Sequence, residues 1–408
     1  MRWVRKRPRP AVSVLILWAF VSLIALAGGW SMMFYVSWAL LLLLGLAYLL
    51  AKLGIRSLYF NRQTRALRAE VGTFFDEKII LENISWVPKL WLEIQDLGQH
   101  PEHTASSVVS LGPYGRYVRP VHTLCRQRGV FQLGPVFAES GDPFGLFRYR
   151  RQIGGSSTLV VYPVAIDLPS FGRLPGDLPG GSLQGERVQF TTPNVSGVRD
   201  YRPGDTFNRI HWPTTARQGR LMVKEFELDP FSDIWLILDL DRQVMLGEGP
   251  ESTEEYAVTV CASLAKHFLK ENRAVGVITH SRVLTTDRGT RQLLKVLELL
   301  AFIRPREQPS IGELLLGEQQ RFGRTDCLVV ITANWEDGWA RILRTLGARG
   351  VHASAVLVEA STFGRAPSVL MAASTLAAAN IPTYLVKRGQ PIQQELATPS
   401  MGGRPAWR

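Results

Sequence analysis

Cysteine is scarce. Three occur among 408 residues, Cys125, Cys261 and Cys327, far apart and with no C-x-x-C or Cys/His cluster around them. That spacing excludes a disulfide framework and a zinc site, and it leaves small buried thiols in a reducing compartment as the expectation. No G-x-G-x-x-G and no P-loop is present, so no nucleotide-binding motif is on offer. Acidic residues are missing from two stretches. Residues 1–10 carry Arg2, Arg5, Lys6, Arg7 and Arg9, and residues 51–68 carry Lys52, Arg56, Arg62, Arg65 and Arg68, with no Asp or Glu in either. These cations account for most of the net charge of +12 and leave about +2 for the rest of the chain. A body so close to neutral argues against nucleic acid as a partner.

Charge is also absent from two long apolar runs. Ala11 to Ala27 is interrupted only by Ser13 and Ser22, and Met32 to Leu50 only by Ser37 and Gly45. Each is long enough to span about 30 Å of hydrocarbon as a helix. The spans are expected at about 11–29 and 32–52, with Gly28, Gly29, Trp30 and Ser31 as a tight turn. A basic start and Ala25-Leu26-Ala27 also resemble a signal peptide, but the immediate second span favours a hairpin. Basic clusters flank both spans on the same side, which predicts a multi-pass cell-membrane protein with its soluble domains in the cytoplasm.

From 61 to 165 the apolar runs are too short for helices: Lys78–Asn83, Leu90–Ile94, Ser106–Leu111, Gly129–Pro135 and Thr158–Pro163. Gly and Pro punctuate them, and the pattern predicts an antiparallel β-sandwich. His100, His103 and His122 are scattered and suggest no metal site. Asp142-Pro143-Phe144-Gly145-Leu146-Phe147 reads as a structured loop with aromatic anchors. Residues 166–228 read as a linker, Gly/Pro-rich up to 196, followed by a dense central motif.

Between 229 and 392 strands and helices alternate. Phe231–Asp239 is a buried strand; Ser252-x-x-Glu255 is a capping box that opens a helix to about Lys270. Further strands fall at 274–279, 327–332, 352–358 and 381–386, with helices at 290–302, 338–346 and 366–380. This predicts a doubly wound, Rossmann-like α/β domain, followed by a flexible tail at 393–408. Ligands of such sheets sit at the carboxyl ends of the strands, here Asp239–Gln243, Thr279–Ser281 and Thr332–Asn334. Asp239 and Asp241 supply oxygens of the kind Mg²⁺ or Mn²⁺ prefers.

The central motif runs from Gly197 to Glu225. It contains Arg199, Asp200, Tyr201, Pro203, Gly204, Asp205, Arg209, His211, Trp212 and Arg217. Gly197-Val198-Arg199-Asp200-Tyr201-Arg202-Pro203-Gly204-Asp205, Arg209-Ile210-His211-Trp212, Ala216-Arg217 and Leu221–Phe226 resemble the signature of the bacterial and archaeal "domain of unknown function 58" family. Leu236–Asp239, the amino-terminal hairpin and Asp142–Phe147 fit the same family. The resemblance implies a membrane-anchored protein with a von Willebrand factor A-like domain. It also implies a MoxR-type AAA ATPase and client proteins as partners. Metal-binding A domains carry D-x-S-x-S after the first strand. Here Asp241 and Gln243 stand in place of both serines, and Asn334 stands where a later acid is expected. Thr285, Thr286 and Thr290 are the open choices for the threonine of such a site.

Three readings follow. The chain is a membrane-tethered interaction or assembly factor rather than an enzyme, with no catalytic residues and no required cofactor. Its alternatives are a metal-dependent enzyme and a module that binds anionic lipid or nucleic acid. The membrane hairpin contacts lipid in every case. The central motif is either a clasp between domains or a partner surface.

Overall fold

The computed structural model describes residues 10–169, 171, 191–201, 210–228, 233–305, 309–323 and 326–401, with the backbone alone at 10, 191–197, 199 and 224–228. The chain divides into two compact units, Met1–Tyr162 and Pro163–Arg408.

The first unit opens with two helices, α1 (Pro10–Gly28) and α2 (Ser31–Gly54). Pro10 suits a first helical turn, where its missing N–H has no partner to lose. Both helices are long and apolar enough to cross a membrane. Ser22 and Ser37, the polar interruptions of the two runs, meet across the pair at 2.7 Å between hydroxyls. The contact gives the Ser37 hydroxyl a partner on an apolar surface, while Ser22 Oγ also donates to the Trp18 carbonyl at 2.8 Å.

Ten strands follow: β1 (Leu58–Thr64), β2 (Arg68–Glu70), β3 (Phe74–Asn83), β4 (Lys89–Asp96), β5 (Ser107–Leu111), β6 (Arg116–Leu124), β7 (Gly129–Leu133), β8 (Val136–Gly141), β9 (Arg148–Gly154) and β10 (Ser157–Tyr162). They form three sheets, ordered β1-β3-β6, β2-β10-β7 and β5-β4-β8-β9. Burial alternates along most of β3 and throughout β8, the period-two signature of strands with one face inward. Leu81 of β3 shares a cluster with Leu92 and Ile94 of β4, Val109 and Leu111 of β5, and Val136 and Ala138 of β8.

No flexible link separates α2 from these strands. Ile55, one residue past the helix, is buried in the same cluster. Lys89 Nζ donates to the Leu53 carbonyl at 2.6 Å, so a buried cation satisfies a carbonyl in the last turn of α2. Gly54 is required by proximity: a Cβ there would lie 2.1 Å from Ser140 Oγ of β8. Tyr48 packs edge-on against Phe147 and Tyr149.

The second unit begins by docking residues 163–169 and 171 on its own core. Leu168 and Phe171 are buried there, Phe171 stacks on Tyr384, and the Ile166 N–H donates to Ser263 Oγ. The central motif then forms a hairpin, β11 (Thr191–Asp200) with β12 (Met222–Leu228), carrying between them the short helix α3 (Trp212–Gln218). His211 caps α3 through its ring nitrogen and Gly219 ends it at φ 67°.

The α/β region comprises β13 (Ile234–Leu238), α4 (Thr253–Lys270), β14 (Val275–Ile278), β15 (Val283–Asp287), α5 (Gly289–Phe302), α6 (Ile311–Glu318), β16 (Cys327–Thr332), α7 (Gly338–Ala348), β17 (His352–Val358), α8 (Leu370–Ala378), β18 (Thr383–Val386) and α9 (Ile392–Glu395). Its mixed sheet is ordered β15-β14-β13-β16-β17-β18, with only β15 antiparallel to its neighbour. Alternate residues of β13 feed opposite faces. Ile234, Leu236 and Leu238 pack with α4 and α5, whereas Trp235 and Ile237 pack with α6, α7 and α8. Ser252 Oγ accepts the Glu255 N–H at the start of α4, as the capping box predicts.

Several expectations need correction. β15 and α6 are additional to the alternating pattern, and α8 is confined to 370–378 within the expected 366–380. The flexible tail expected from 393 is part of the fold as far as 401. Leu396 is fully buried, the Leu385 N–H donates to Ser400 Oγ, and Met401 bridges to Thr383.

Candidate functional site

The connectivity selects one place on the sheet. From β13 the chain crosses α4 to β14 on one side, and later enters β16 on the other side. The strand order therefore reverses between β13 and β16, and loops leaving their carboxyl ends splay apart into a crevice. Asp239 follows β13; Thr332 ends β16, and Asn334 lies just beyond it. All three are buried, as is Asp241.

Their polar atoms are bonded to one another in sequence. The Asp239 N–H donates to the Ile331 carbonyl at 2.9 Å. Thr332 Oγ1 donates to Asp239 Oδ2 at 2.6 Å, and the Asp241 N–H donates to Asp239 Oδ1 at 3.1 Å. Asp241 Oδ1 in turn accepts the Gln243 N–H, Thr332 Oγ1 accepts the Asn334 N–H, and Asn334 Oδ1 accepts the Glu336 N–H. Short polar side chains favour such local bonds to amides two residues on, which is why Asp, Thr and Asn stand where strands become loops.

His280, just after β14, completes the surroundings; both its ring nitrogens are enclosed without a hydrogen-bond partner among the described residues. Burial is the largest influence on the Asp239 carboxyl and pushes its pKa above the usual carboxylate range. The Thr332 hydroxyl, the Asp241 amide and the charge of His280 pull it down, and Asp241 adds to the rise. Arg242, Gln243, Ser281, Arg282 and Glu336 are exposed around this buried floor. Beside Asn334 and Glu336 lies a groove of about 260 Å³ that also borders α6 and α7.

The fit of a divalent cation follows from these bonds. Both Asp239 oxygens, one Asp241 oxygen, the Thr332 hydroxyl and the Asn334 carbonyl already hold loop or side-chain donors. No group of three or more His, Cys, Asp or Glu side chains among the described residues is arranged to hold a metal. The donor set does not fit a dedicated Mg²⁺ or Mn²⁺ site. The threonines considered for it also lie elsewhere. β15 runs antiparallel, so Thr285 and Thr286 sit towards the amino ends of the parallel strands, where Thr286 donates to Asp233. Thr290 is exposed in α5. The hydroxyl that reaches Asp239 is Thr332, which the strand-end position singled out without showing its partner.

The central motif is a separate arrangement. Asp200 Oδ2 pairs with Arg220 Nη1 at 3.2 Å on the surface, and the Tyr201 N–H donates to the Leu221 carbonyl. His211 Nδ1 lies 2.8 Å from Thr214 Oγ1. Arg199 pairs with Val223 along the hairpin, Arg217 is exposed at the end of α3, and Trp212 is exposed. Pro203, Gly204, Asp205 and Arg209 lie outside the described residues.

A further cluster in the first unit escaped the sequence reading. His103 Nε2 lies 3.1 Å from Asp96 Oδ2 and 3.5 Å from Glu77 Oε1, and its Nδ1 lies 3.0 Å from Thr123 Oγ1. Arg62 forms ion pairs with both carboxylates and hydrogen-bonds Asp96. Burial raises the Glu77 pKa. Burial also acts to raise that of Asp96, but the His103 hydrogen bond and the Arg62 charge outweigh it and hold it low. Glu77 on an inward-facing strand position was the one local sign of such a cluster. His122 by contrast pairs with Asp76 on the surface, and His100 packs edge-on against Phe131.

The model of the family described as "Protein of unknown function DUF58" matches residues 197–360, from the central hairpin through β17. Over those residues the chain is similar to the DUF58 family. A curated relative, the uncharacterized protein YeaD of Bacillus subtilis, is 25% identical over 238 residues, 57% of this chain and 58% of its own length. This chain thus spans somewhat more than half of that relative. Among solved structures, the CARDB domain of the PF1109 protein from Pyrococcus furiosus is 12% identical, covering 26% of this chain and 91% of its own, at a TM-score of 0.21. The alkylpurine DNA glycosylase AlkC of Pseudomonas fluorescens is 14% identical, covering 26% of this chain and 30% of its own, at a TM-score of 0.19. Scores this low carry no inference about this chain.

Proposed function

We propose that this chain is a membrane-anchored interaction and assembly factor, not an enzyme, and that it presents the carboxyl edge of its six-stranded sheet to a protein partner. The observation supporting this reading is the bonded lattice at that edge. Asp239, Thr332 and Asn334 use their polar atoms to hold the loops, while Arg242, Gln243, Arg282 and Glu336 stand outward. A fixed floor beneath an exposed charged rim suits recognition of another protein, because loops already ordered cost less to bind.

In this reading the α/β region is von Willebrand factor A-like and the strands of the first unit are a β-sandwich. Helices α1 and α2 are two spans in the cell membrane, and both units are cytoplasmic because basic residues flank the spans on one side. The partner is a MoxR-type AAA ATPase acting with this chain on client proteins, as the family resemblance implies. The near-neutral soluble body makes nucleic acid a poor partner.

Affinity isolation of the full chain from its native membrane after mild cross-linking tests the partnership. The expected outcome is co-recovery of an AAA ATPase, reduced when Arg242→Glu and Arg282→Glu are combined. Failure to recover any ATPase above background overturns the proposed partner; equal recovery by the double variant overturns the proposed surface.

A further inference from the structure

Near the end of α2 the surface is unusually apolar. Ile84, Trp86, Leu90, Trp91 and Phe144 are large side chains left in the open, with Trp86 74%, Leu90 69% and Trp91 60% exposed. They are not on a remote surface. A cavity of about 370 Å³ is walled by Leu50 and Gly54 of α2 together with Val87, Pro88, Leu90 and Trp91. The position of this patch relative to α2 is fixed by the Lys89–Leu53 bond, by the Gly54–Ser140 contact and by Ile55 in the strand core.

Helix geometry gives the depth of the patch. Counting from Ser31, with exposed Trp30 just before it, twenty residues at ~1.5 Å each rise by about 30 Å, the thickness of a bilayer's hydrocarbon layer. The twentieth residue is Leu50, which walls the cavity. Trp30 and the cavity therefore mark the two faces of one membrane. Indole rings suit that level, with an apolar body and an N–H that reaches the headgroups. One turn further on, Lys52 and Arg56 are exposed and match phosphate charge.

We propose that Ile84, Trp86, Leu90, Trp91 and Phe144 form a second membrane contact, in which the first strand-rich unit lies on the phospholipid interface of the bilayer crossed by α1 and α2. This proposal rests on the membrane reading of the two helices. The loop Asp142–Phe147 gains a role in it: Asp142 Oδ2 accepts the Phe144 N–H and Asp142 Oδ1 accepts the Phe147 N–H. These bonds set Phe144 outward, while Phe147 packs on Tyr48. The unit is thereby held against the membrane at two levels, by the helix that enters it and by a rim that lies on it.

The test uses the full chain in vesicles of phosphatidylcholine and phosphatidylglycerol, with single nitroxide labels at Trp86→Cys, Leu90→Cys, Leu42→Cys or Phe74→Cys. The native cysteines are all buried and stay unlabelled. Leu42 is exposed midway along α2; Phe74 is exposed at the end of β3 away from Asn83. Collision with oxygen against a water-soluble nickel chelate reports depth. Expected are a deep position at Leu42→Cys, an aqueous one at Phe74→Cys, and interfacial depth at Trp86→Cys and Leu90→Cys, with nickel collision several-fold below Phe74→Cys. If Leu42→Cys is deep while Trp86→Cys and Leu90→Cys are as aqueous as Phe74→Cys, the interfacial contact is wrong and the membrane hairpin stands. If Leu42→Cys is itself aqueous, the hairpin reading fails and takes this proposal with it.

Discussion

Thr332 Oγ1 lies 2.6 Å from Asp239 Oδ2, joining β16 to β13 at the point where the strand order reverses. The same hydroxyl accepts the Asn334 N–H, so one side chain orders the loops after both strands. Removing the hydroxyl while keeping the shape leaves a buried carboxyl short of a donor. Thr332→Val is expected to destabilise the protein by about 1–3 kcal/mol. Thr332→Ser should recover most of that loss. Denaturant unfolding of the three proteins checks it.

Asp239 also gives stability a pH dependence of known sign. Its folded pKa is raised above the usual carboxylate range, chiefly by burial. The contribution to stability is therefore fully present below the unfolded pKa and is lost as pH rises through the folded pKa. Relative to Asp239→Asn, the unaltered protein should lose unfolding free energy as pH rises from about 4 towards neutrality. Paired denaturant titrations across that range measure the difference; a constant offset between the two proteins would contradict the assignment.

Asp96 has the opposite sign. Burial raises its pKa, but His103 and Arg62 outweigh burial and hold it below 3.8. Its stabilisation is present above the unfolded pKa and is lost as pH falls through the folded one. Asp96→Asn leaves Arg62 and His103 without their full set of partners and is expected to cost about 3–5 kcal/mol near neutral pH. That cost should shrink when the same unfolding measurements are made in acid.

At Gly54 the limit is space. A methyl group there meets Ser140 Oγ at 2.1 Å and Ser140 Cβ at 3.1 Å. Gly54→Ala should destabilise the first unit by about 1–3 kcal/mol through overpacking. Adding Ser140→Gly removes both offending atoms and should restore part of the loss. The pair, measured as a double-mutant cycle in detergent-solubilised full chain, tests whether α2 and β8 touch as described.

Legibility in the sequence followed the range of the interactions. The two apolar helices, the run into Asp239 and the Ser252 cap depend on neighbours within a few residues, and they are visible in the letters. Asp239 and Asn334 were legible as strand-end residues, because the sheet pattern places them there. Their bonding was not, since Thr332 is far from Asp239 in the chain and either loop could have supplied the hydroxyl. The hairpin was hidden for the same reason. Val198 pairs with Lys224, and the motif's Pro-Gly and charged residues read as a loop. The Arg62–Glu77–Asp96–His103 cluster draws on distant segments, with no spacing to announce it. Tertiary packing decided these features.

The central claim is that the strand-end rim above Asp239 meets a partner ATPase. Site-specific photo-cross-linking from Arg242 or Arg282, each replaced in the full chain by a benzophenone-bearing amino acid in living cells, tests it most directly. Light-dependent adducts containing an AAA ATPase subunit from both positions, and none from a probe at Phe74, is the result the account predicts. Absence of any ATPase adduct from Arg242 and Arg282, with the protein present in the membrane at its normal level, would contradict it.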